Sequence, residues 1–64
     1  MKIIFPDKTS KVTEITPVTV GVLLKDLAIS SLEVLVVRNG TLVTEDAVVE
    51  NDDEIRIIRI VHGG

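Results

Sequence analysis

Only one stretch of this chain carries the 3.6-residue period of a helix. Val20, Leu23, Leu24 and Leu27 fall on a single face, a stripe that one side of an amphipathic helix must bury. Thr19 stands just before it as an N-cap, because its hydroxyl can accept one of the N–H groups that a helix start leaves unpaired. The spacing predicts a helix over about residues 20–28, with Ser30 and Ser31 marking its end. Gly21 weakens it slightly, in the first turn where the cost is least. The remaining apolar residues lie in short runs of Val, Ile and Leu. One helix cannot bury its stripe alone, so it must lie on a sheet, which makes the fold α+β.

The strands follow from alternation and turn chemistry. Residues 2–6 read as a strand with Ile3 and Phe5 on one face and Lys2 and Ile4 on the other,. Pro6 and Asp7-Lys8-Thr9-Ser10 supply a turn, and residues 11–16 pair back as a hairpin. Val12 and Ile15 differ in parity, so a bulge or an early strand end is expected there. Val34-Leu35-Val36-Val37 is an unbroken apolar run, the pattern of an inner strand. Asn39-Gly40 then gives the strongest short hairpin signal, and Thr41-Leu42-Val43 is the return strand. Residues 44–53 form an acidic loop whose Ala47-Val48-Val49 is expected to tuck under the core. Residues 54–61 make the last strand, with Ile55, Ile57, Arg59 and Val61 on one face and Arg56, Ile58 and Ile60 on the other. The first and last strands fit side by side, parallel, in the middle of a mixed sheet of four to five strands. This order is the ubiquitin-like β-grasp: one domain over residues 1–61, followed by a flexible tail at 62–64.

Composition excludes most other chemistry. The chain has 64 residues and no cysteine, so disulfides, thiolate metal sites and cysteine nucleophiles are ruled out. Its single histidine, His62, cannot build a histidine metal site and reads as a solvated tail residue. No nucleophile–base pair or Gly-rich phosphate loop is present, so the chain is not expected to be an enzyme. The net charge of −3 and the single aromatic, Phe5, argue against direct nucleic-acid binding, which needs basic surface and stacking rings. The longest apolar run is four residues, far short of a membrane span, and no signal peptide is visible. A cytoplasmic protein is the expectation. Six of the ten acids lie between Glu45 and Glu54, either as a solvated face or as a patch that steers a basic partner.

Two features bear on function. The sequence given ends His62-Gly63-Gly64 directly after the last strand, and a terminal Gly-Gly arises by chance in roughly 0.5% of chains. Val37-Arg38-Asn39-Gly40 and the run from Asp53-Glu54-Ile55-Arg56-Ile57 to Gly63-Gly64 resemble the small sulfur carriers of thiamine and molybdopterin biosynthesis and their archaeal ubiquitin-like relatives. The resemblance covers essentially the whole chain. Two departures stand out: Asp52 occupies the place of a usual Gly before Asp53, and Arg59-Ile60 stand where the molybdopterin carriers have paired prolines. These tilt the likeness toward the thiamine-type or archaeal carriers.

The resemblance implies a role for the tail. A carboxylate is a poor electrophile; in the family an E1-like activating (adenylyltransferase) enzyme uses ATP to adenylate the last glycine. A sulfur donor such as a persulfide-bearing protein then leaves a C-terminal thiocarboxylate, which passes sulfur to an accepting synthase. This splits one hard step into easier ones, as covalent catalysis does. Gly64 would carry the reacting carbon, and Gly63 would let the tail thread a narrow channel, since glycine reaches conformations closed to other residues. The chain itself would hold no cofactor; ATP, and zinc where the family uses it, would belong to the partner. The same adenylate could lead instead to isopeptide bonds with lysines, making the chain a protein modifier. A non-covalent β-grasp interaction module is the third reading.

Partner recognition near the tail requires some apolar surface. Ile58 and Ile60 are candidates, grouped with Val34 or Val36 and Arg38; the bland alternative is scattered surface apolar residues. Arg56 and Arg59 either meet acids on the partner or are simply solvated. Lys2, Lys8, Lys11 and Lys25 carry no mark beyond surface lysines.

Overall fold

The computed structural model describes residues 1–61. In chain order the elements are β1 (Lys2–Ile4), β2 (Ser10–Val12), β3 (Val18–Thr19), α1 (Val20–Asp26), β4 (Val34–Arg38), β5 (Thr41–Val43), β6 (Val48–Val49) and β7 (Glu54–Arg59). Five strands make one sheet in the order β2-β1-β7-β4-β5, and β3 pairs with β6 in a small second sheet. β1 and β7 run parallel at the centre, with Ile3 opposite Ile55; every other pairing is antiparallel. One helix across one face of this mixed sheet is the ubiquitin-like β-grasp that the pattern predicts. No helix among the described residues is long and apolar enough to cross a membrane.

The core lies between the helix and the sheet. Val20, Leu23 and Leu24 from α1 meet Ile3, Val34, Val36, Ile55 and Ile57 from the strands. Ile55 and Val49 are fully enclosed, each at 0% exposure, and burying a side chain of this size contributes about 1.5–3 kcal/mol. Val49 comes from the acidic loop, so that loop does reach under the core as expected. It is also stitched to the helix start. The N–H groups of Val20 and Gly21 donate to the carbonyls of Ala47 and Glu45 at 2.8 and 3.1 Å, and Val22 N–H donates to the Thr19 hydroxyl at 3.3 Å. The orphan donors of the first turn are thereby satisfied. This stitching is where β3 and β6 form, two strands the sequence does not announce.

The helix stops earlier than the predicted residue 28. Leu27 caps it, Ala28 turns left-handed at φ 58°, and Ile29 and Ala28 donate N–H to Leu24 and Lys25 carbonyls at 2.9 and 3.0 Å. This is a Schellman closure, usually built on glycine. β1 ends at Ile4 rather than residue 6 because Pro6 starts a turn, and β7 ends at Arg59 rather than Val61. β2 ends at Val12, the early strand end foreseen from the parity clash; Ile15 then turns inward to pack on the core.

The Asn39-Gly40 turn forms as expected, with φ 50° and 84°, the pair of positive values that a two-residue hairpin turn requires. The turn into β7 needs no glycine. Asp53 N–H donates to the Glu50 carbonyl at 3.1 Å, and neither Asn51 nor Asp52 takes a positive φ, so Asp52 is accommodated without left-handed strain.

Candidate functional site

Helix α1 covers one face of the sheet and leaves the other open. Because alternate residues point to opposite faces, burying Ile55 and Ile57 turns Arg56 and Ile58 outward. The register then selects their neighbours. Ile4 lies opposite Arg56, Arg56 opposite Val37 and Ile58 opposite Leu35, and Val37 opposite Leu42. The result is an apolar band across four strands with Arg56 set in it. Leu35, Leu42 and Ile58 are 43%, 59% and 41% exposed, and Ile4 and Val37 are half-buried. The apolar stem of Arg56 can lie along such a band while its charged head stays in water.

The sequence-derived residues separate on this geometry. Ile58 and Arg56 belong to the open face. Val34 and Val36 do not: they are buried at 8% and 4% exposure, facing the helix. Arg38 shares their parity, and its guanidinium donates to the Val48 carbonyl at 2.7 Å, tying the acidic loop to β4 rather than joining Ile58. Arg59 is exposed at the end of β7, opposite Val34, on the helix side of the strand. Ile60 is half-buried just beyond β7, where its N–H donates to the Glu33 carbonyl at 2.8 Å. Gly63 and Gly64, with His62, lie outside the described residues. Leu35, Val37, Leu42 and Ile4 join this face without a mark in the sequence. The signal for them is the parity of β4 relative to Ile57, which an unbroken apolar run does not reveal by itself.

At the opposite end of β7 a polar clamp fixes how the strand begins. The Asn39 amide donates to Asp53 Oδ1 at 2.8 Å, and its carbonyl oxygen accepts from Glu54 N–H at 2.8 Å. Asp53 Oδ2 accepts from Glu50 N–H at 2.8 Å. The Glu50 N–H, followed by the Asn39 amide and the charge of Arg38, holds the Asp53 carboxyl below its ordinary value against the opposing effect of burial, since groups that bond the ionised form favour it.

Comparison with known proteins agrees with this architecture. The family described as small archaeal modifier protein 2 matches residues 2–61. The NMR solution structure of a thiamine biosynthesis protein from Geobacter metallireducens superposes with a TM-score of 0.62 at 26% identity, covering 100% of this chain and 88% of that one. Among curated proteins none matches. With the match running through nearly every described residue, and with the β-grasp sheet in place, the chain belongs to the small archaeal modifier protein 2 family, a ubiquitin-like group related to the small sulfur carriers.

Proposed function

We propose that this protein is a sulfur carrier whose Gly64 carboxylate is the reacting group. A carboxylate oxygen attacks the α-phosphorus of ATP in an E1-like activating enzyme, and pyrophosphate leaves. The terminal sulfur of a persulfide on a donor protein attacks the acyl carbon, and AMP leaves. A thiol then cleaves the resulting acyl disulfide, leaving a thiocarboxylate at Gly64 and a disulfide on the donor. The sulfur can be delivered in thiamine, molybdopterin or tRNA thiolation. The observation that carries this reading is the family match over residues 2–61, ending within three residues of Gly63-Gly64. The likeness to a thiamine biosynthesis protein supports the sulfur branch.

A second reading is favoured by the family's description as a modifier. Here a lysine amine attacks the activated carbonyl, AMP leaves, and an isopeptide bond forms through Gly64. Both readings begin with the same adenylate.

Intact mass after incubation with the host's activating enzyme, ATP and a persulfide donor tests the proposal. The expected result is a gain equal to exchanging one oxygen for sulfur, abolished when Gly64 is deleted. No gain, with conjugates formed on lysines instead, would replace the carrier by the modifier; neither product would remove both.

A further inference from the structure

The parallel ladder between β1 and β7 stops abruptly. Lys2 N–H donates to the Asp53 carbonyl at 3.2 Å, and pairing proceeds to Ile4 opposite Arg56. The next donor in that ladder would be residue 6, and Pro6 has no N–H. β7 continues for three more residues, Ile57 to Arg59, paired to β4 alone. A notch therefore opens between the β1–β2 turn and the last part of β7. It is a shallow groove of about 480 Å³ with Ile4, Phe5 and Ile58 in its lining, together with Lys8, Arg56 and Arg59. Among the described residues no carboxylate lines it.

Lys8 reaches this groove from an unusual backbone. The Lys8 and Phe5 N–H groups donate to the Phe5 and Thr9 carbonyls at 2.9 and 2.8 Å. These bonds define a three-residue hairpin loop whose last position must be left-handed, the usual place of glycine. Lys8 holds that position at φ 72°. Glycine would adopt it without steric cost, so the strain is kept together with the charge. Asp7, beside it, turns its carboxylate to the Thr9 N–H and hydroxyl at 2.9 and 2.6 Å and leaves Lys8 unneutralised by its neighbour. Strain of this kind concentrates where function needs it.

We infer that the notch seats an acidic, extended segment of the activating enzyme. Three cations border the notch, Arg56 from the open face of β7 and Arg59 from its helix side, with Lys8 across from them. Together with the apolar lining they complement carboxylates on a peptide with apolar side chains. The Ile57 carbonyl, which Pro6 cannot serve, offers the incoming backbone an acceptor, as an open strand edge does. The groove flanks the strand that leads toward Gly63-Gly64, so an enzyme that holds the tail has this surface within reach. The inference rests on the carrier reading and identifies a docking contact for the same partner.

ATP–pyrophosphate exchange by the host's activating enzyme, followed against concentration of the full chain, tests it. Lys8→Glu, Arg56→Glu and Arg59→Glu should each raise KM about fivefold or more with kcat unchanged, and the gap should narrow as salt is raised, as for charge-steered association. Lys8→Gly should melt higher than the wild type yet still raise KM, which separates docking from stability. Lys25→Glu, on the helix, should leave KM unchanged. Charge reversals that leave KM within about twofold, in a chain that is adenylated normally, overturn the notch and spare the carrier reading. Absence of exchange with the wild-type chain overturns the carrier reading and this inference with it.

Discussion

The Asn39 side chain bridges the tip of the β4–β5 hairpin to the turn before β7, its amide 2.8 Å from Asp53 Oδ1 and its carbonyl oxygen 2.8 Å from Glu54 N. Asn39 also occupies a left-handed position in the turn, where Asn is tolerated better than residues with larger apolar side chains. Asn39→Ala removes both bonds and adds turn strain. The expected loss is about 1–2 kcal/mol, read from urea unfolding. Asn39→Gly, which relieves the strain and loses only the bonds, should cost less.

Asp53 gives the fold an acid sensitivity. Its carboxyl titrates below its ordinary value of 3.8, first because Glu50 N–H bonds the ionised form. A depressed folded value means that its stabilisation is fully present above 3.8 and is lost as pH falls through the lower folded value. The residue is half-exposed, so solvent screening keeps the contribution small. Thermal melts across an acid series should show a smaller decline in Asp53→Asn than in the wild type, with Asp53→Asn already less stable at neutral pH. Parallel curves would show that this carboxylate is not coupled to folding.

Ala28 closes the helix in a conformation that suits glycine, at φ 58°. Ala28→Gly keeps the Schellman bonds and removes the clash of the methyl group with its own backbone. The expected gain is about 1 kcal/mol, or a rise of roughly 4–8 °C in Tm for a domain of this size. A fall in Tm would mean that the greater freedom of glycine in the unfolded chain outweighs the relief.

Two adjacent isoleucines should behave oppositely. Ile57 is buried at 1% exposure, and Ile57→Ala should cost about 2–5 kcal/mol, a large share of the 5–15 kcal/mol typical of a domain. Ile58 is 41% exposed on the open face. Ile58→Asp should fold with Tm nearly unchanged but lower the efficiency of adenylation about tenfold or more if that face is an interface core. Leu35→Asp, its cross-strand partner, should do the same. Equal loss of stability in Ile57→Ala and Ile58→Asp would show that the two faces have been misassigned.

Much of this architecture could be read from residue patterns. Thr19 and the Val20–Leu27 stripe located the helix, and Asn39-Gly40 located the hairpin. With those two placed, the first and last strands had to meet in the centre. What stayed hidden has physical causes. Two-residue strands such as Val18–Thr19 and Val48–Val49 are too short to show a period. The unbroken run Val34–Val37 has no alternation, so it does not show that Val34 and Val36 face inward or that Arg38 lies on their side and away from Ile58. Lys8 and Ala28 take left-handed backbones that only the surrounding hydrogen bonds impose, so their types gave no warning. The candidate site was legible as residue types, Arg56 and Ile58 among them, but its neighbours Leu35, Val37 and Leu42 required the register.

The placement of β7 also has a consequence for biosynthesis. The strand made last sits between β1 and β4, and neither half of the sheet can join the other until it arrives. Before Glu54 is made, the β1–β2 and β4–β5 segments share only the apolar face of α1 and lack the strand that joins them into one sheet. Such long-range parallel pairing is intrinsically slow to form. Closure of the five-stranded sheet therefore waits for the residues through Arg59, nearly the whole of the described domain.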